Sequence, residues 1–131
     1  MNRVSVLKID KDCHVPLDWV RDDFVQLAIA ACKSYHTRII SIKKTNSRKK
    51  GIHLYIEIWP PVDSETANRL QWLLGDDCRR VDFNRARINV GLLEWNKLFE
   101  VAGTQIRPIF KNKQRAMNHS STFGNKVHAL F

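Results

Sequence analysis

Apolar and polar positions alternate most regularly over GIHLYIEIW (51–59), where Ile52, Leu54, Ile56 and Ile58 take one side and His53, Tyr55, Glu57 and Trp59 the other. A period of two is the signature of a half-buried antiparallel strand. TRIISIK (37–43) is a second strand pattern, and KTNSRKK joins the two as the tip of a β-hairpin. RVSVLKI (3–9) is short and β-branched, which predicts a strand ahead of them. Pro60 and Pro61 are expected to end the 51–59 strand, because proline supplies no ladder donor.

Other segments repeat at helical spacing. Pro16 and Asp18 open a helix running to about Tyr35, with Val20, Phe24, Leu27 and Ala31 on one stripe and Val25, Ile29 and Cys32 on a second. So wide an apolar surface predicts a helix buried along most of its length. Asp63 suits an N-cap, Ala67, Leu70, Leu73 and Leu74 form one face, and Gly75 fits the position after a helix end. Asp76 or Asp77 can cap a further helix over 79–90 that Gly91 closes, and LLEWNKLFEV, with Leu92, Trp95, Leu98 and Phe99, predicts another. Ala86, Ile88 and Val90 also alternate, and a strand there would complete a ferredoxin-like βαββαβ order.

These elements predict an α+β fold, a small antiparallel sheet of three or four strands packed on helices. Residues 1–103 are expected to form one domain. Residues 104–131 become polar and basic without a sustained period, which predicts a loosely held tail. The chain of 131 residues is long enough to bury a core without disulfide staples. Its three cysteines are odd in number and widely spaced, and MNRVSVLKID has no long apolar run, so an intracellular protein, cytoplasmic or nucleoid-associated, without a membrane partner is expected.

Charge changes the picture. Lys and Arg number 22 against 13 Asp and Glu, a net +9, and the excess is unevenly spread. Residues 24–56 contain seven basic side chains and no acid, and residues 101–131 contain five and none. Such stretches give a one-sided field if they are neighbours in space, and nucleic acid is the polyanion such a field would meet. At the hairpin, Lys43, Lys44, Arg48, Lys49 and Lys50 are the candidate phosphate contacts. Lysine at a tip also serves solubility and keeps a sheet edge unpaired.

His53, Tyr55 and Trp59 would share the face turned away from the helices, where rings can stack unpaired bases. The sequence KKGIHLYIEI departs from the RNA-recognition-motif consensus, whose aromatics would fall at 52 and 54, where this chain has Ile and Leu. Arg79, Arg80, Arg85 and Arg87 form a third basic feature, interrupted by Asp82, which could instead pair with Arg79 or Arg85.

Catalytic patterns are weaker. There is no glycine-rich phosphate loop and no G-x-S-x-G elbow. Glu57, Asp63, Asp76 and Asp77 are carboxylates a metal-dependent nuclease would need, by type alone. Cys13, His14, Cys32 and His36 lack paired zinc spacing, and Cys32 is better suited to the core. No cofactor and no metal is expected. The sequence favours a non-catalytic nucleic-acid-binding protein preferring single-stranded DNA or RNA. The alternatives are duplex DNA binding through the hairpin, a nuclease, and a homo-oligomer or subunit of a larger assembly that uses Trp72, Trp95 and the terminal VHALF as apolar contacts.

Overall fold

A computed structural model describes residues 2–13, 16, 18–45, 51–100 and 102–113. In chain order the elements are β1 (Arg3–Lys11), a π-helical turn (Trp19–Phe24) continuing into α1 (Val25–Ser34), β2 (Arg38–Thr45), β3 (Ile52–Asp63), α2 (Ser64–Leu73), α3 (Cys78–Asn89) and β4 (Ile106–Lys111). The four strands form one antiparallel sheet in the order β1-β3-β2-β4. This is the expected α+β architecture. Leu7, Ile9, Ile39, Ile42, Leu54, Ile56 and Ile58 line its inner face and pack on Val20, Phe24, Ala28, Cys32, Leu70 and Leu74 of the helices.

Residues 79–90 are helical, so the fourth strand comes from elsewhere. Ile106–Lys111 pairs with β2, inside the stretch expected as a tail. Ile109 and Phe110 pack against the core, and Asn112 Nδ2 donates to the Ile39 carbonyl at 3.0 Å, so the folded unit runs past Gly103.

The prolines do not end β3. Between the pairs Val4↔Val62 and Val6↔Glu57, residues 58–61 of β3 face only Ser5 of β1. On the other side Arg38↔Trp59 is the terminal pair with β2. Pro60 and Pro61 therefore sit where neither neighbour requires an amide donor. The Pro60 carbonyl accepts from Thr37 Oγ1 at 2.6 Å.

The first helix is less buried than its two stripes predict. Its opening π-turn advances more residues per turn than an α-helix and shifts the phase of the succeeding α-helical turns. Val20, Phe24, Val25, Ala28, Ile29 and Cys32 face the core, while Trp19 and Leu27 are exposed. Burial pushes the Cys32 thiol up to about 12.

The caps follow local chemistry. Asp63 accepts from the Thr66 amide at 2.7 Å, and Asp77, not Asp76, caps α3 through the Arg79 amide at 3.1 Å. All three helices end in Schellman turns, with His36, Gly75 and Gly91 at positive φ.

Residues 92–100 of LLEWNKLFEV form no helix. Gly91 stops α3, and the chain then docks by side chains: Trp95 is buried with Nε1 donating to Ser64 Oγ at 3.1 Å, and Asn96 Nδ2 donates to Gln71 Oε1 at 2.7 Å. Residues 93–99 pass beside β1. The chain then crosses to β4 on the far side of the sheet. Three inter-strand gaps are about 14 Å, within the roughly 20 Å that six extended residues reach.

Candidate nucleic-acid interface

The β2–β4 pairing sets the two acid-free stretches side by side. Ser41 stands opposite Lys111, Lys43 opposite Pro108, and Lys44 opposite Arg107. The register places Arg38, Lys43 and Lys111 on the face shared with Tyr55 and Trp59, away from the helices. Lys43, Arg107 and Lys111 are exposed. Arg48, Lys49 and Lys50, the expected hairpin tip, lie outside the described residues.

His53, Tyr55 and Trp59 do share this face, and His53 and Tyr55 are held by carboxylates. Tyr55 Oη donates to Glu100 Oε1 at 2.7 Å, and the same carboxylate oxygen lies against His53 Nδ1. The other ring nitrogen, Nε2, is 3.6 Å from Asp10 Oδ1. Burial and then the Glu100 contact push the Tyr55 phenol well above its ordinary range. Burial also raises Asp10, against the opposing pull of His53. Trp59 is the most exposed ring of the three, at 48%.

The four arginines of α3 separate. Arg80 is an internal brace: it donates through Nη1 to Asp76 Oδ2 at 2.5 Å and to the Lys8 carbonyl at 2.9 Å, through Nη2 to Asn96 Oδ1 at 2.6 Å, and through Nε to the Lys97 carbonyl at 3.2 Å. Arg85 lies between α2 and α3 with Glu65 and Asp82, whereas Arg79 and Arg87 border a cleft with Phe83, Lys97 and Phe99. Among the described residues Asp82 forms no ion pair with Arg79 or Arg85.

Arg80 belongs to a polar network that sequence reading did not find. β1 is an edge strand, and side chains take the place of a neighbour: the Lys8 amide donates to Gln71 Oε1 at 3.0 Å and the Asp10 amide to Asp76 Oδ1 at 2.9 Å. The Asp77 amide donates to the Asp10 carbonyl at 3.1 Å, and Lys11 Nζ to the Leu74 carbonyl at 2.7 Å. Burial raises Asp76, opposed by the Asp10 amide and by Arg80. The only hint in sequence was the Asp76–Asp77 doublet, of which one member caps and the other seals the edge.

Among the described residues no helix is long and apolar enough to cross a membrane, and no three His, Cys, Asp or Glu side chains are grouped to hold a metal ion. No family model matches the chain, and no curated protein or solved structure matches it significantly.

Proposed function

We propose that the protein binds nucleic acid without catalysing a reaction on it, taking single-stranded DNA or RNA across the face that carries Arg38, Lys43 and Lys111. The observation that carries this reading is the pairing of β2 with β4, which joins two separate acid-free stretches into one basic edge. Phosphates bind such a surface through counterion release. The exposed ring of Trp59, in register with Arg38, offers a platform for a base. On this reading the protein works wherever nucleic acid is exposed inside the cell.

The test is salt-dependent binding of the full chain to matched single-stranded DNA, RNA and duplex DNA. A log–log salt slope of about −2 or steeper for single strands is expected from the phosphates met by Arg38, Lys43 and Lys111. Tighter duplex binding would move the site to the hairpin as a major-groove ribbon. No binding at low salt would end the proposal.

A further inference from the structure

Arg79, Phe83 and Arg87 of α3 face Lys97 and Phe99 of the following segment across an open cleft of about 710 Å³, with Asp10 and His53 among its lining. Phe83 is 60% exposed and Phe99 81% exposed. Neither ring belongs to the core. The guanidinium of Arg87 lies 5.8 Å from the centre of the Phe83 ring, which puts a cation and a flat apolar surface within one contact distance.

Asp10, Asp77 and Glu94 line the cleft beside the basic side chains, Asp77 capping α3 and Asp10 facing His53, and Arg80 is paired with Asp76. Arg79, Arg87 and Lys97 have no ion-pair partner among the described residues, which leaves their donors available to an anionic group. A ligand that suits three cations and two exposed rings is anionic and has flat apolar faces. A second copy of a chain with net charge +9 does not have that complementarity.

We propose that the cleft is a nucleobase site: an unpaired base stacks on Phe83 and Phe99, and its flanking phosphates are met by Arg79, Arg87 and Lys97. This rests on the nucleic-acid reading above and deepens it by assigning the base contacts. His53 connects the two surfaces, since it lines the cleft and shares a face with Tyr55, whose partner on β2 is Lys43. A base within a duplex is stacked on its neighbours and does not enter.

Fluorescence anisotropy of labelled oligo(dT), about 12 nucleotides long, and of a matched duplex tests this with the full-length protein. The double substitution Phe83→Ala and Phe99→Ala should weaken oligo(dT) binding about tenfold or more. Salt slope, melting temperature and duplex binding should be unchanged, and Phe83→Trp should retain affinity. If the double variant binds oligo(dT) as the parent does while Lys43→Ser with Lys111→Ser weakens it, the cleft is overturned and the broader reading stands. Equal losses for duplex and single strand would also overturn base entry. If the parent binds neither substrate, both proposals fall together.

Discussion

Arg80 and Asp76 form an ion pair sealed inside the molecule, with their side chains 9% and 0% exposed. Removing one partner leaves the other charge buried without compensation, and such losses are typically about 3–5 kcal/mol. Arg80→Ala should therefore lower stability by that order in urea denaturation. Arg79→Ala, at an exposed neighbour whose side chain makes no hydrogen bond or ion pair among the described residues, should change stability by less than about 0.5 kcal/mol. A comparable effect of the two substitutions would refute the bracing role.

Asp63 gives the helix cap a pH dependence. The Thr66 amide holds its carboxyl below the ordinary value of 3.8. A depressed native pKa means that its contribution is present above 3.8 and is lost as pH falls through the native value. Asparagine offers the same capping oxygen but carries no charge and does not titrate. The stability difference between the parent and Asp63→Asn, no more than about 1 kcal/mol, should shrink in acid, as read from thermal melts across the acidic range.

His36 occupies the position after α1 at φ 61, where glycine carries no Cβ penalty. Its side chain is exposed. His36→Gly should stabilise the protein by about 1 kcal/mol, and a lower melting temperature would show that the imidazole has contacts worth more than the backbone strain.

Replacing Arg48, Lys49 and Lys50 together by Ser should leave the melting temperature unchanged. The single-strand salt slope should become shallower by about two, since each lost phosphate contact contributes roughly 0.7. An unchanged slope would return these charges to a solubility role.

Ending the chain after Gly103 deletes β4 together with the Asn112 contacts to Ile39 and Ile40. Several hydrogen bonds, each with a net contribution of about 1 kcal/mol, disappear along with the packing of Ile109 and Phe110. The expected result is a markedly lower melting temperature, whereas loss of binding alone would mean that β4 contributes nothing to folding.

What was legible in the sequence was local. The alternation through Ile52, Leu54, Ile56 and Ile58, the Asp63 cap and the glycines at 75 and 91 each depend on neighbours within a few residues. What was not legible depends on partners far away. IRPIFK is short and contains Pro108, and it becomes a strand because β2 offers an edge. Leu92, Trp95, Leu98 and Phe99 have helical spacing, yet Trp95 reaches Ser64 and the others do not form a buried face with it. The aromatic face was legible from the period of β3, but Glu100, which binds two of its three members, carried no signal at all.

The route from α3 past β1 and over to β4 also sets an order of assembly. β2 and β3 are neighbours in sequence, whereas β4 cannot join β2 until α2, α3 and the connecting segment have been laid down. Closing a longer loop costs more chain entropy, and pairings distant in sequence form slowly. The outer edge of β2 therefore stays open through the early stages of folding, presenting unpaired amides and carbonyls to any extended chain nearby. Dilution should then favour refolding more than it would for a protein whose sheet closes from its local hairpin, because at high concentration a second molecule competes for the place that β4 takes last.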